Sequence, residues 1–388
     1  MWLRLCAAGA VAGTGLAVVS GAAGWDTAHR LLAALAVPPL VAVVVAAWAS
    51  RRPLLPASLA SLAAFLVAAA LTAPGVHLAA ASLALAAAVV TLAQALHAPV
   101  SSGSARDYMT LTKPRIMSLL LLTGGAGVFV GAGGVPAAGT FAIAMVGLAL
   151  ACGGASALNH YLDRDIDRLM GSRTASRPVA SGRMAPEVAL EFGLALSAIS
   201  FVLLAALVNV AAAHLALAGN LFYVLVYTRW LKRSTPQNIV IGGAAGAVPP
   251  LVGYAAATGN LGWGALAMFA VVFLWTPPHF WALALMIKEH YARADVPMLP
   301  VVRGESETAR AIVRYSFVLV AATLVPVAVG IFGLVYGAAA LALGAVFVSY
   351  AVALRRSLAR PAAVRLFHYS LLYLALLFVA MAIDPVLA

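Results

Sequence analysis

Charged residues are scarce in this chain, and cysteines are scarcer. Aspartate, glutamate, lysine and arginine make up 9% of the 388 residues, whereas 64% of the residues are hydrophobic. This composition excludes a water-soluble globular domain and makes the lipid bilayer the solvent. The two cysteines, Cys6 and Cys152, lie in apolar runs without a CxxC spacing. They indicate neither a disulfide framework nor a metal site, and we expect them to be packing residues.

Acidic residues are half as numerous as basic ones, at 12 against 24, and the formal net charge is +12. The basic residues occur in short segments between apolar runs rather than in a tail or a continuous stripe. This distribution argues against nucleic acid as a partner. It favours anionic membrane lipid and a polyanionic substrate.

Long apolar runs are abundant, and a helix needs roughly 20 such residues to cross a bilayer. No run shows the polar alternation of a membrane barrel, so the runs predict an all-α integral membrane protein. About thirteen spans are expected, near residues 3–22, 30–49, 55–73, 77–97, 115–133, 139–162, 187–208, 212–229, 238–257, 264–286, 312–334, 336–354 and 366–386. The first run, from Trp2 to about Ala22, also has the form of a cleavable signal peptide.

The positions of lysine and arginine predict the orientation of these spans. With the N-terminus inside, 23 of the 24 basic residues fall on one side, and Arg30 alone falls on the other. Since cytoplasmic loops retain positive charge, this predicts a multi-pass membrane protein with its basic loops in the cytoplasm. The expected location is a bacterial inner (plasma) membrane.

A segment at residues 98–104, with proline, glycine and three serines, resembles a linker and predicts two regions. Residues 1–100 hold four spans almost without polar groups, and their role is left open. Two histidines there, His29 and His77, stand at outer helix ends, where they either bind heme or remain unligated. Residues 105–388 hold nine spans and almost all the acids, so the chemistry is expected there.

The first inner loop of the second region carries an amide and two carboxylates at helical spacing. Asn159, Asp163 and Asp167 follow each other at i, i+4 and i+8, which puts them on one helix face. Such oxygen ligands suit Mg²⁺, which completes its shell with water and phosphate. The arginines that follow suit phosphate oxygens: Arg168, Arg173 and Arg177. The alternative is a salt-bridged helix end without a ligand.

The second inner loop carries another polar cluster, formed by Glu289, His290 and Asp295. It could supply a second metal ligand or a base. The spacing of the two acids is not helical, so a plain charged loop is an equally good interpretation.

His279 follows Pro277 and Pro278, a pair that is expected to break or kink its helix within the membrane. A histidine at such a break could ligate heme iron or contact a propionate. A packing histidine is the alternative. Three neighbouring aromatic residues could stack on a planar acceptor: Trp275, Phe280 and Trp281.

Two further inner segments carry paired basic residues. Lys113 and Arg115 begin the fifth span, and Lys232 and Arg233 precede a span rich in glycine and alanine. Each pair either contacts a diphosphate or is ordinary positive charge at a cytoplasmic loop. Three glycines of that span are expected to allow close helix packing: Gly242, Gly243 and Gly246.

Five stretches carry a resemblance to a known family: YMTLTKPR, NHYLDRDIDRLMGSRTASRPVASGR, LKRSTPQNIVIGGAAGAVPPLVGYAAATG, FLWTPPHFWALAL and YARADVPMLPVV. Over roughly residues 105–385 the chain resembles the UbiA superfamily of intramembrane prenyltransferases, and within it the heme O synthases (protoheme IX farnesyltransferases). The NxxxDxxxD pattern indicates only the superfamily. The PPHFWALAL and VPMLPVV stretches indicate heme as the acceptor.

The resemblance implies a nine-helix bundle around a central cavity, preceded here by about four extra helices. It implies Mg²⁺ as cofactor, farnesyl diphosphate as donor and heme B as acceptor. The family ionises the donor to an allylic cation and couples it to the heme 2-vinyl group. Addition of water then gives heme O, which serves terminal oxidases. The histidines of the four extra helices loosely resemble those of half of a heme A synthase, which makes that enzyme a candidate partner. A substrate-handing or merely structural appendage is an equally good interpretation.

One departure from the family affects the second inner loop. The family usually has aspartate directly before the tyrosine that matches Tyr291, whereas this chain has His290 there, after Glu289. Glu289 is therefore the candidate second metal ligand. The expected catalytic residues are Asn159, Asp163, Asp167, Arg168 and Glu289, and the expected substrate-binding residues are Lys113, Arg115, Arg173, Arg177, Lys232, Arg233, His279 and Tyr291. Other interpretations are a prenyltransferase acting on a quinone or another aromatic acceptor, a non-catalytic heme-binding protein, and a transporter or channel.

Overall fold

The structure is a computed structural model that describes residues 10–12 and 101–387. The predictions for residues 1–100 therefore fall almost entirely outside the described residues. They comprise four spans, a signal peptide and the histidines His29 and His77.

Between residues 101 and 387 the chain is almost entirely helical. Its helices are α1 (Ala105–Thr112), α2 (Pro114–Ala132), α3 (Ala138–Leu162), α4 (Arg164–Leu169), α5 (Pro186–Leu207), α6 (Val210–Ser234), α7 (Asn238–Thr258), α8 (Trp263–Met286), α9 (Lys288–Arg293), α10 (Leu299–Val302), α11 (Gly304–Ala328), α12 (Leu334–Ser357) and α13 (Arg360–Leu387). Nine of these described helices are long and apolar enough to span a membrane. The spans predicted for the second region are thereby confirmed in number.

One predicted span is misplaced. The sequence predicts it at residues 312–334, whereas α11 spans Gly304–Ala328. The segment GESETARA reads as a polar loop, yet Thr308 and Ala309 within it are fully buried against the bundle, so the helix begins earlier. The chain leaves the helix before Gly330, whose φ of +73° belongs to the left-handed region that favours glycine.

Close backbone contacts hold α2 and α7 together. A Cβ atom at Gly253 would collide with the carbonyl oxygen of Gly124, and one at Gly127 would collide with that of Pro250. In a membrane, where lipid tails are as apolar as side chains, such small residues let helices associate by van der Waals packing. Any larger side chain at these positions would force the two helices apart.

Helices α8, α11, α12 and α13 form the largest apolar core of the described chain, and one acid lies at its edge. Asp384 accepts hydrogen bonds from the backbone N–H groups of Gly333 (2.5 Å) and Tyr336 (3.2 Å). A carboxylate at a helix N-terminus satisfies unpaired donors and interacts favourably with the helix dipole. This membrane acid is therefore explained by the structure of the bundle alone.

The alternation of the nine helices brings four connections to one end of the bundle, at residues 163–185, 235–237, 287–303 and 358–359. Every lysine and arginine between residues 101 and 387 lies in these connections, in α1 or directly after it, or in the adjoining helix halves. We call this the basic end. The predicted segregation of charge is confirmed for the described part of the chain.

Candidate functional site

The acidic row, formed by Asn159, Asp163 and Asp167, lies where α3 meets α4 at the basic end. The backbone N–H of Asp163 donates to Asn159 O, and that of Asp167 donates to Asp163 O, both at 2.8 Å. Helical hydrogen bonding thus continues across the junction and keeps the three side chains on one face, as the spacing predicts. In chain order, the three residues are 3%, 0% and 1% exposed.

Two lysines from other helices contact the first half of the row. Lys113, directly before α2, donates from Nζ to Asn159 Oδ1 at 2.7 Å. Lys232, near the end of α6, donates from Nζ to Asp163 Oδ2 at 2.5 Å. Asn159 Nδ2 donates to Asp163 Oδ2 (2.8 Å) and to Thr228 Oγ1 (3.1 Å). The amide is therefore fixed with its oxygen toward the lysine.

The second half of the row is paired with an arginine from the loop after α4. Arg177 Nη1 donates to both carboxylate oxygens of Asp167, at 2.7 and 2.9 Å. Thr174 Oγ1 donates to the backbone oxygen of Asp167 at 2.8 Å and anchors the loop. Burial raises the pKa of Asp167, while the charge of Arg177 acts in the opposite direction. Three bases thus face two carboxylates, which leaves a positive site suited to a polyanion.

Burial also affects the amine of Lys113. Removal from water lowers the pKa of Lys113 to about 7, and the nearby positive charge of Arg177 acts in the same direction. An anion bound beside this amine would favour its charged form. The amine is therefore placed to gain from a phosphate ligand.

Buried atoms without hydrogen-bond partners mark where a ligand fits. Asp163 Oδ1 is buried and accepts no hydrogen bond from the described residues, and neither ring nitrogen of His160 forms one with them. A buried anionic oxygen without a partner is costly unless a cation or donor meets it. Carboxylate and amide oxygens are the ligands that Mg²⁺ prefers, so the donor set of the acidic row fits this ion.

Asp165 and Arg233 pair with each other beside the row. Arg233 donates to both carboxylate oxygens of Asp165, at 2.7 and 2.8 Å, and to the backbone oxygen of Leu162. Asp165, with its side chain 60% exposed, does not share the buried face of its neighbours. The Arg233 guanidinium lowers the pKa of Asp165 well below its usual range. Arg233 still lies 3.9 Å from Asp163 Oδ1, at the edge of the predicted site.

The second inner loop lies against α4 through other residues than its acids. His290 Nδ1 donates to the backbone oxygen of Met170 at 2.8 Å, and Tyr291 packs in an apolar cluster with Ile166. The side chain of Glu289 is 89% exposed and lies 3.9 Å from Arg293. The described contacts do not bring Glu289 to the acidic row, and its role as a metal ligand stays a prediction.

His279 is enclosed by aromatic rings within the bundle. Its ring stacks on Trp275, with centroids 4.3 Å apart, and on Phe367, at 4.8 Å. Helix α8 continues through Pro277 and Pro278, so the prediction that these prolines break the helix is wrong, while the alternative that they kink it stays a prediction.

The aromatic neighbours of His279 are themselves packed. Trp275 is buried against the histidine ring, and Trp281 is buried edge-on against Tyr315. The expectation that these two indoles stack on an acceptor is not supported, because both are almost fully buried among protein side chains. Phe280 meets the histidine edge-on and is half-buried.

The remaining predicted arginines differ in their surroundings. Arg168 Nε donates to the backbone oxygen of Ala180 at 2.9 Å, which ties α4 to the following loop. Arg115 is exposed on the first turn of α2. The backbone of Arg173 ends a short 3₁₀ turn, and its side chain lies outside the described residues.

Sequence reasoning missed a π-helical segment of α6, Phe222–Leu231, which borders the row. π-helical turns occur often at functional sites. Here the segment supplies Thr228, and it stacks Tyr223 on Tyr227 with centroids 5.5 Å apart. A Cβ at Gly242 would collide with the Tyr227 ring, so that glycine admits the tyrosine, as expected for close packing. No periodicity in the sequence indicates the wider helical turn.

Comparison with known proteins agrees with this architecture. Residues 120–379 match the UbiA prenyltransferase family. A protoheme IX farnesyltransferase of Symbiobacterium thermophilum is 54% identical over 294 residues, which cover 75% of this chain and 98% of that relative. A protein of the same name from Roseiflexus sp. is 50% identical over 281 residues, and the match covers 72% of this chain and 52% of the relative. The chain thus spans about half the length of the Roseiflexus protein.

A solved structure shares the fold at low sequence identity. A digeranylgeranylglyceryl phosphate synthase is 17% identical and superposes with a TM-score of 0.61 over 73% of this chain and 99% of that one. This likeness concerns the fold, whereas the sequence relatives identify the family. The chain belongs to the UbiA prenyltransferase family, among its protoheme IX farnesyltransferases.

Proposed function

We propose that this protein transfers a farnesyl group from farnesyl diphosphate to the 2-vinyl group of heme B, giving heme O. The observation that carries the proposal is the acidic row, buried at the basic end and flanked by Lys113, Lys232 and Arg177. A diphosphate needs cationic neutralisation, and its prenyl tail needs an apolar environment. The junction of α3 and α4 offers both at one place. The names of the relatives support heme as the acceptor.

The reaction requires departure of diphosphate before carbon–carbon bond formation. The C1–O bond of the donor breaks, and its electron pair leaves with the diphosphate. The vinyl π electrons then bond to C1, and the resulting cation beside the pyrrole ring adds water, which loses a proton. Each base of the site keeps donors for phosphate oxygens, because an ammonium has three N–H groups and Arg177 uses only Nη1 on Asp167.

Asn159, Asp163 and Asp167 would hold Mg²⁺ through their side-chain oxygens. When bound, the ion neutralises charge that develops on the leaving group. Lys232 and Arg177 add positive charge at the same place, and Lys113 adds to it when a bound anion favours the charged form of its amine, which stabilises the departing anion. The prediction that Glu289 is a second metal ligand gains no support from the structure, because its side chain is 89% exposed.

A bacterial inner membrane with the basic end in the cytoplasm is the proposed location, since positive loops remain on that side. Residues 105–388 are proposed to form the catalytic region and residues 1–100 an appended region of unassigned role. Heme A synthase, which would consume the product, is a proposed partner.

Product mass tests the proposal directly. Purified full-length protein in lipid nanodiscs would receive heme B, farnesyl diphosphate and Mg²⁺, and the extracted porphyrin would be weighed. We expect the mass of heme B plus a farnesyl group and a hydroxyl group. Unchanged heme with a prenylated quinone in a parallel reaction would establish a different acceptor. Unchanged substrates in both reactions would refute the enzyme assignment.

A further inference from the structure

A hydrogen-bond chain behind His279 involves Ser370 on α13. His279 Nδ1 lies 2.7 Å from Ser370 Oγ, and Ser370 Oγ lies 2.6 Å from the backbone oxygen of Phe367. Trp275 Nε1 donates to the backbone oxygen of Ser370 at 2.8 Å. Ser370 is fully buried and His279 is 6% exposed, so water competes little for these contacts.

Proton counting assigns the tautomer of the histidine. A serine hydroxyl carries one proton, and the Phe367 carbonyl can only accept. Both contacts of Ser370 Oγ are therefore hydrogen bonds only if His279 Nδ1 carries a proton and donates it to the serine. A neutral imidazole protonated at Nδ1 keeps a lone pair on Nε2. We propose that Ser370 holds His279 in this tautomer and so leaves Nε2 as a ligand for the metal of a bound porphyrin.

The two stacked rings hinder rotation of the His279 imidazole out of this orientation. Trp275 and Phe367 cover the two faces of the histidine ring nearly in parallel, at 15° and 21°. A half-turn of the imidazole, which would exchange Nδ1 and Nε2, would have to displace both rings. Nε2 makes no hydrogen bond with the described residues. It is also not one of their fully buried polar atoms that lack a hydrogen-bond partner, so part of its surface remains accessible. One nitrogen is thus held by the protein and the other is available.

The inference rests on the proposed function, which makes a porphyrin the acceptor. It adds a reason why the site would select a porphyrin that contains a metal. Histidines that bind metals generally donate their other ring N–H to a protein acceptor, which fixes the tautomer and raises ligand basicity. Ser370 Oγ has this role here. The site should therefore prefer a metalloporphyrin to the metal-free ring. Ser370 is a positioning residue that acts through His279.

Nitrogen-15 NMR reads the tautomer without any substrate. In the full-length chain labelled at histidine, with His279 assigned by its loss in His279→Gln, we expect a protonated Nδ1 and an unprotonated Nε2. Ser370→Ala should convert this signal to a mixture of tautomers. Ser316→Ala is the matched control, because Ser316 is equally buried and, among the described residues, its hydroxyl donates to a carbonyl of its own helix, that of Ile312. A protonated Nε2 in the wild type would overturn the assignment.

Porphyrin titrations test the consequence for binding. Ser370→Ala should weaken ferric heme binding about 10-fold or more and alter its absorption bands, while binding of metal-free protoporphyrin stays unchanged. Ser370→Thr, which keeps the hydroxyl, should retain heme affinity. Equal losses for both porphyrins would indicate a packing defect and refute the positioning role.

The two proposals fail in different ways. Formation of farnesylated heme with no effect of Ser370→Ala on the heme spectrum would leave the proposed function standing and remove this inference. Iron-selective binding that depends on Ser370, without any prenylated product, would do the reverse.

Discussion

Each of the two inner loops of this prenyltransferase follows a membrane-spanning helix and carries acidic residues, yet the surroundings of these acids differ between the loops. In the first, Asp163 and Asp167 are almost fully buried, and each is paired with a base from another element. In the second, Glu289 is 89% exposed and its nearest base is Arg293, one turn away on its own helix. Since burial and convergent partners distinguish a built site from a charged surface, the first loop is the better candidate for the chemistry.

The second loop makes contacts of its own with the first loop. His290 and Tyr291 attach it to α4, the helix that carries Asp167. The second loop is thus placed to support the first.

The largest effect is expected from the buried carboxylates. Asp163→Asn and Asp167→Asn should each lower Mg²⁺-dependent turnover by roughly 10²–10³-fold, because each removes a carboxylate ligand of the Mg²⁺ that would neutralise the leaving group. Turnover of farnesyl diphosphate across a Mg²⁺ titration, with heme binding followed by absorption, measures this. Asp165→Asn, an exposed neighbour, is the control and should stay near wild type. Near-normal turnover in both buried variants would place the chemistry elsewhere.

A smaller effect is expected from the base that pairs with Asp167. Arg177→Lys keeps the charge but loses the planar guanidinium, so turnover should fall about 10-fold and the Michaelis constant for the diphosphate should rise. Arg310→Lys, on the surface beside Glu307, is the matched control. Equal behaviour of the two variants would show that point charge alone suffices in the first loop.

The attachment of the second loop should matter less. His290→Ala removes one hydrogen bond to Met170 and should lower stability by about 1 kcal/mol. Turnover should fall only a few-fold, through looser placement of α4. Thermal unfolding in detergent and steady-state rates measure both quantities. Total loss of turnover in a well-folded variant would instead give the second loop a direct role.

The smallest effect is expected at Glu289. Glu289→Gln should change turnover and Mg²⁺ dependence by less than about 2-fold, because exposed ion pairs contribute little. A clear rise in the Mg²⁺ concentration needed for half-maximal turnover would restore its assignment as the second metal ligand. The symmetry of the two loops in sequence would then extend to function.

The sequence alone determined the membrane class, the nine spans of residues 101–387 and the acidic row. These depend on local rules: apolar length sets spans, the lysine and arginine distribution sets sidedness, and i, i+4 spacing sets a shared face. The start of α11 escaped those rules, because its polar first turns are buried by neighbours that hydropathy does not include.

The set of polar residues that meet at the site depends on the packing of the helices. This packing brought Lys113 and Lys232 to the row from helices far apart in sequence, left Glu289 at the surface, and put Ser370 behind His279. Pairing across helices depends on their packing and on the π-helical turn of α6, neither of which leaves a periodic signal. Long-range electrostatic partners and tautomers are therefore properties of the folded bundle.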